Sequence, residues 1–274
     1  MKTNDQKSPV CMTIAGLDPS GGAGIIADIR TFAAFGCFGT VAVASLTFQN
    51  TLGVFGAVHQ SAESIRGQVE PVVDDIGVDA LKTGMLPTAE VIEATAELIA
   101  SKGLKNIVVD PVVRSTSGFD LIDEEALASL IEKLFPLADI VTPNIPEAER
   151  IAKMTIHDAD DIRNAASVMM GLGARNVLIK GGHLNEIEGK DRVAVDYLFV
   201  GDQELCLKAE YIETNATHGT GCTLAAAITA NLALGRNLEE SVQISKDYVN
   251  EAIRTPTNLG KGNSPIGMPK FRSR

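Results

Sequence analysis

The run Thr217-His218-Gly219-Thr220-Gly221-Cys222 leads directly into the small-residue stretch Thr223-Leu224-Ala225-Ala226-Ala227. The glycines let neighbouring backbone N–H groups turn toward one point, and a helix opening there adds roughly half a positive charge at its N terminus. Together they would form an anion hole able to neutralise charge on a transferred phosphoryl group. Cys222 falls at or near the first helical turn, where a thiol's pKa is lowered toward the thiolate. Such a thiolate could take a proton from a substrate hydroxyl. A glycine-rich loop capping an alanine-rich buried helix is the plainer alternative, and the motif alone leaves both open.

Four other segments carry chemistry-bearing side chains. Gly16-Leu17-Asp18-Pro19-Ser20-Gly21-Gly22-Ala23-Gly24 lacks the Lys of a Walker A loop and the spacing of a dinucleotide fingerprint. It is either a turn or a loop packed around a small substrate, with Asp28 on the following helix as a hydrogen-bond acceptor. Asn144-Ile145-Pro146-Glu147 reads as a helix start, with Asn144 as N-cap and Pro146 in the first turn. The same Asn144 and Glu147 could equally offer hard oxygen ligands near Mg²⁺ and phosphate. Lys180-Gly181-Gly182-His183 ends an apolar run, where a Lys either reaches a phosphate or is simply solvated. Asp110, after Ile107-Val108-Val109, is a Mg²⁺ neighbour or a loop cap.

These residues need a frame that brings them together. Short apolar runs at Val10–Ala15, Thr40–Thr47, Ala80–Thr83, Asn106–Asp110, Ile140–Thr142 and Asn176–Lys180 predict strands. Amphipathic stretches at Gly24–Phe35, Ala62–Asp74, Ala89–Ser101, Glu124–Phe135, Pro146–Lys153 and Ala159–Leu172 predict helices between them. The alternation implies βαβ units, and so an α/β fold with a mostly parallel central sheet and helices on both faces, a three-layer αβα sandwich. Val193–Val200 and Glu204–Ile212 suggest a hairpin, and helices are expected over Cys222–Leu234 and Leu238–Ile253. No internal repeat or linker appears, so residues 1–274 are expected to form a single domain. In open α/β sheets ligands bind beyond the carboxyl ends of the strands, which is where the polar residues fall here.

Composition removes several classes of function. Among 274 residues, Lys and Arg number 24 against 35 Asp and Glu, a net charge of −11. Without a dense Lys/Arg cluster the chain is a poor nucleic-acid binder. No run reaches the length of a membrane span, and the polar segment Met1 to Val10 lacks a signal peptide's apolar core, so a cytoplasmic protein with no membrane partner is expected. Cys11, Cys37, Cys206 and Cys222 are widely spaced, and neither they nor the four histidines show metal-site spacing.

Taken in order, AGLDPSGGAGIIAD (15–28), FQNT (48–51), KTGML (82–86), VVDPVV (108–113), TPNIPEAE (142–149), KGGH (180–183) and THGTGCT (217–223) resemble the hydroxymethylpyrimidine/phosphomethylpyrimidine kinase family of thiamine biosynthesis, within the ribokinase-like superfamily. The resemblance runs from Thr13 to about Ile253. It implies a kinase that uses ATP and Mg²⁺ to phosphorylate 4-amino-5-hydroxymethyl-2-methylpyrimidine and then its monophosphate. Gly16, Asp28, Gln49 and Met85 match pyrimidine-pocket positions, and Val112 a pocket wall. Gln49 carries an amide able to donate to and accept from an aminopyrimidine edge. Gly219, Thr220, Gly221 and Cys222 match the anion hole, Cys222 standing where most ribokinase-like relatives carry an Asp base. Lys180, Gly182, Thr217 and Lys246 match nucleotide-side positions, with Asn144 beside the phosphates and Asp110 and Glu147 in the Mg²⁺ region.

There are departures. Leu17 replaces a small polar residue, and Thr47-Phe48 replaces a Val-Ala pair before the Gln. One branch of the family phosphorylates pyridoxal or pyridoxine; Gln49-Asn50 favours the pyrimidine branch, while residues 79–87 look as much like the other. A noncatalytic precursor-binding protein is the alternative from another class. A homodimer is implied by resemblance alone. With no residues after 274, a fused thiamine-phosphate synthase domain is not expected.

Overall fold

The computed structural model describes residues 7–113, 120–182, 186–188 and 191–269. In chain order the elements are β1 (Val10–Leu17), α1 (Gly24–Ala34), β2 (Phe38–Asn50), β3 (Gly53–His59), α2 (Ala62–Asp75), β4 (Ala80–Thr83), α3 (Ala89–Ser101), β5 (Ile107–Val109) and α4 (Glu124–Ser129). They continue with β6 (Ile140–Val141), α5 (Ile145–Ala152), α6 (Ala159–Gly171), β7 (Asn176–Lys180), β8 (Glu186–Glu188), β9 (Asp191–Val200), β10 (Gln203–Glu210), α7 (Thr220–Ala233) and α8 (Leu238–Arg254).

One sheet runs in the order β10-β9-β7-β6-β5-β4-β1-β2-β3, and β8 pairs with β9. The strands from β2 through β1, β4, β5 and β6 to β7 are parallel, while β3, β9 and β10 add antiparallel edges. Side-chain alternation divides the core into layers. Leu81, Ile107, Val109, Val141, Val177 and Ile179 pack with α2, α3, α5 and α6 on one face. Their neighbours Ala80, Val108, Ile140 and Leu178 pack with α7 and α8 on the other. Phe32 of α1 joins α7 and α8 there through Ala226, Ala227 and Tyr248. The result is the expected three-layer αβα arrangement, with strands buried on both sides and continuously apolar. Among the described residues, no helix is long and apolar enough to cross a membrane.

The structure departs from the sequence reading at particular places. The single helix expected over Glu124–Phe135 is α4 followed by a π turn, Leu130–Leu134, and a 3₁₀ turn, Phe135–Leu137. Pro136 has no N–H to continue the ladder. No strand is expected at 53–59, where Gly53 and Gly56 weaken the signal, yet β3 forms by pairing with the end of β2. The short β8 is likewise unanticipated.

A register skip between β1 and β2 matters for the site. Ala15 pairs with Val43 but Gly16 pairs with Ser45, leaving Ala44 as an extra residue. Before it the buried positions of β2 are Thr40, Ala42 and Ala44; after it they are Ser45 and Thr47, with Leu46 and Phe48 outward. This bulge shifts the side-chain phase of the strand by one residue.

Candidate active site

A cavity of about 1180 Å³ opens at the carboxyl ends of the parallel strands. Gly16, Gln49, Met85, Asp110, Val112, Asn144, Glu147, Lys180, Gly182, Thr217, Gly219, Thr220, Gly221, Cys222 and Lys246 all line it. Of the residues singled out in the sequence, Asp28 is not on the wall, and His183 lies outside the described residues. Because of the bulge, Thr47 and Gln49 point into the cavity, and Phe48 stands outward at 54% exposure. The Thr47 hydroxyl donates to the Leu17 carbonyl at 2.8 Å, tying β2 to the loop after β1.

The turn into α7 depends on its glycines. Gly219 has φ +88°, and a Cβ there would lie 1.9 Å from the Gly22 carbonyl oxygen. The loop after β1 and the loop before α7 thus touch backbone to backbone. Gly221 is the residue against which Lys180 rests: a Cβ there would lie 3.3 Å from Lys180 Nζ. Lys180 Nζ donates to Asp110 Oδ1 at 3.1 Å, and the Thr142 hydroxyl donates to the same oxygen at 3.1 Å. Burial pulls the Lys180 ammonium down, but Asp110 and Glu147 outweigh it and hold the pKa above its ordinary value.

Asn144 and Glu147 form a capping box at the start of α5: Glu147 N–H donates to Asn144 Oδ1 at 2.9 Å and Asn144 N–H to Glu147 Oε2 at 2.8 Å. Helix initiation and cavity lining therefore coexist in the same pair. Burial pushes the Glu147 carboxyl up to about 7, against the pull of Lys180 and with Asp110 adding to the rise. A buried carboxyl beside a second acid is a place where added positive charge would be relieved rather than resisted. Among the described residues no group of at least three His, Cys, Asp or Glu side chains could hold a metal ion alone. Mg²⁺ usually takes only one or two carboxylates and completes its shell with water and substrate phosphate. Asp110 and Glu147 fit that pattern.

Cys222 corrects an expectation. It does sit in the first turn of α7, but burial pushes its thiol up to about 11, against the attraction of Lys82. Desolvation of the thiolate outweighs the helix N terminus, so the group is a thiol near neutrality.

The sequence reading gives no role to four residues that the structure brings to the site, although Asp18, Lys82 and His218 stand in its motifs. Lys82, fully buried, lines the cavity and donates to Asp28 Oδ2 at 3.0 Å. Burial depresses its ammonium, but Asp28 more than compensates and raises its pKa. Asp28 also accepts from the Thr13 hydroxyl at 2.7 Å, so it meets the cavity through Lys82. A lysine inside the apolar strand Ala80-Leu81-Lys82 was the available signal. Asp196, in the apolar strand β9, accepts from Lys246 Nζ at 2.7 Å and from Gly181 N–H at 3.0 Å. Asp18 and His218 meet at 2.8 Å across the two glycine loops. No local pattern announces a pair 200 residues apart.

The chain is similar to known proteins over most of its length. The family model described as phosphomethylpyrimidine kinase matches residues 18–267. Hydroxymethylpyrimidine/phosphomethylpyrimidine kinase of Bacillus subtilis is 42% identical over 261 residues, covering 95% of each chain. The crystal structure of phosphomethylpyrimidine kinase from Clostridium difficile superposes with a TM-score of 0.77 at 42% identity, covering 89% of this chain and 99% of that one. Pyridoxal kinase from Staphylococcus aureus, solved with AMP-PCP and pyridoxal, gives a TM-score of 0.87 at 30% identity, covering 97% and 95%. With sequence, fold and cavity in agreement, the chain belongs to the phosphomethylpyrimidine kinase family.

Proposed function

We propose that this kinase transfers the γ-phosphoryl group of ATP to the hydroxymethyl oxygen of 4-amino-5-hydroxymethyl-2-methylpyrimidine, and then phosphorylates the resulting monophosphate to the diphosphate. The observation that carries this reading is that one cavity is lined both by Gly16, Gln49, Met85 and Val112 and by Gly219 to Cys222 with Lys180 and Asp110. Phosphoryl transfer needs little covalent help from the protein; it needs alignment and charge neutralisation.

Gln49 reads the amino edge of the pyrimidine, with Met85 against the ring. The N–H groups of Gly219, Thr220, Gly221 and Cys222 receive the phosphoryl oxygens. Lys180 bridges toward the transferred phosphate, held in place by Asp110. Lys246, Thr217, Asn144 and Gly182 line the nucleotide side, and Asp28 acts behind the wall by fixing Lys82. Asp110 and Glu147 would hold Mg²⁺, which when bound neutralises charge on the β- and γ-phosphates. As Cys222 is a thiol near neutrality, it serves first as an N–H donor of the hole. The hydroxyl proton leaves late, as the phosphorus–oxygen bond forms: to an oxygen of the transferred phosphoryl group when Cys222 is a thiol, and to the sulfur only in the thiolate form.

A cytoplasmic location is consistent with a reaction that draws on ATP. The β2–β3 edge exposes Leu46, Phe48, Leu52, Phe55 and Val58. Such an apolar patch favours self-association, in keeping with a homodimer; Phe55→Glu is expected to yield monomer by light scattering.

The likeness to a pyridoxal kinase supports a second acceptor class. ADP release with MgATP, compared across the pyrimidine, its monophosphate, pyridoxal and pyridoxine, decides between them. Turnover of both pyrimidines is expected. Turnover of pyridoxal alone would mean that the wall around Thr47 outweighs Gln49.

A further inference from the structure

Asp18 and His218 lie outside every role assigned above, yet they join the two halves of the site. Asp18 is almost fully buried and accepts from Ser20 N–H at 2.7 Å, Gly22 N–H at 3.2 Å, Ala23 N–H at 2.9 Å and His218 Nε2 at 2.8 Å. Burial works against its charge, but His218 and Ser20 hold its carboxyl down to about 2. It is therefore a carboxylate at any working pH, and the hydrogen between the two side chains sits on Nε2 of His218. The imidazole ring packs on the same loop: a Cβ on Gly22 would lie 2.4 Å from His218 Cδ2. The backbone of His218 is pinned separately, pairing with Pro265 and accepting from Ile266 N–H. Gly219, the next residue, lies against the Gly22 carbonyl.

We infer that Asp18 and His218 are positioning residues that clamp the anion-hole loop to the loop bordering the acceptor pocket, so that the hole is held in its working geometry before substrate arrives. The inference rests on the phosphoryl-transfer reading given above. Neither side chain need touch a reacting atom. The pair fixes the position of Gly219 relative to Gly22, and that spacing sets where the N–H groups of 219–222 aim. Preorganised donors of this kind act only if they need no rearrangement during the reaction.

The test uses His218→Ala, His218→Gln and Asp18→Asn in the full chain. For His218→Ala, kcat is expected to fall about 100-fold, the loss typical of one misplaced donor. KM for MgATP and for the acceptor should stay within about threefold, since the residues assigned to the ring and to the nucleotide are untouched, although His218 borders the same cavity. Added imidazole should restore about tenfold of the lost kcat by refilling the space and the hydrogen bond. His218→Gln, which keeps an N–H donor, should retain most of the activity, and Asp18→Asn should fall at least as far as His218→Ala. Amide hydrogen exchange, which needs no substrate, should rise in both 16–24 and 217–224 in His218→Ala. A kcat within about threefold of wild type overturns the clamp. So does exchange that rises in only one loop, or a kcat loss that imidazole and glutamine both fail to recover. If wild type turns over no acceptor, the kinase reading fails, and the exchange measurement still decides whether the clamp exists.

Discussion

Replacing Gly221 by Val puts a branched side chain where the site has room for none. The Cβ alone would sit 3.3 Å from Lys180 Nζ and 3.9 Å from Asp110 Oδ2. In a helix the valine methyl groups are locked into one main rotamer, so they cannot be swung aside. They reach beyond the Cβ into the space of the ammonium, which must leave its 3.1 Å bond to Asp110. Blocking one hole donor costs about 2.7–4 kcal/mol of transition-state stabilisation. Losing a charged hydrogen bond adds about 1.5–3 kcal/mol. Together, about 4–7 kcal/mol corresponds to a kcat about a thousandfold to a hundred-thousandfold lower. Gly221→Ala is the control: its Cβ meets only the flexible end of Lys180, which can yield a few tenths of an ångström, and its loss should stay within about tenfold. The assay is coupled ADP release under saturating MgATP and pyrimidine, with melting temperature measured in parallel. Near-wild-type turnover by Gly221→Val would refute the anion-hole assignment.

Cys222→Ala should lower kcat only about tenfold at neutral pH, because a thiol pushed up to about 11 is about one part in ten thousand thiolate there. The gap to wild type should widen as pH rises toward 11; a large, pH-independent loss would show that the thiolate is present at neutrality. Lys82→Met should destabilise the fold by about 3–5 kcal/mol, since it strands a fully buried carboxylate, and Asp28→Leu in the same chain should recover much of that. Urea midpoints test this, and an unchanged midpoint for Lys82→Met would sink it. Asp18 has a folded pKa of about 2, below its ordinary value near 4, so its contribution to stability is complete above that ordinary value and is lost as pH falls through 2. Thermal melts between pH 5 and 2 should show this slope in wild type, and it should be absent in Asp18→Asn.

Much of the cavity's lining could be read before the fold was known, because strand ends concentrate polar residues at one edge of an α/β sheet. Lys180, Asp110 and the Gly219–Cys222 turn each follow or precede a strongly apolar segment, and that contrast made them visible. What escaped were features settled by tertiary contact. Lys82 sits inside a buried strand, and only its pairing with Asp28 on α1 explains it. Asp196 looks like a stray acid until Lys246 and the Gly181 amide are placed beside it. The chemistry of Cys222 was misjudged because a helix N terminus is local, whereas desolvation depends on everything packed around the turn. The edge strand β3 was missed because its glycines erase the pattern that its pairing with β2 supplies.

The extra residue at Ala44 gives the pocket a dependence on counting. From that point on, odd-numbered positions of β2 look inward, and Gln49 is among them. A regular pairing that set Gly16 against Ala44 would keep every amino acid in the chain and still exchange Gln49 for Phe48 on the wall. The substrate's polar edge would then face a benzyl group. Which β2 side chains line the cavity is therefore written partly as register. Two chains with identical letters but a different register at Ala44 would present different side chains to the cavity, and a comparison that aligns letters without the bulge would mistake one for the other.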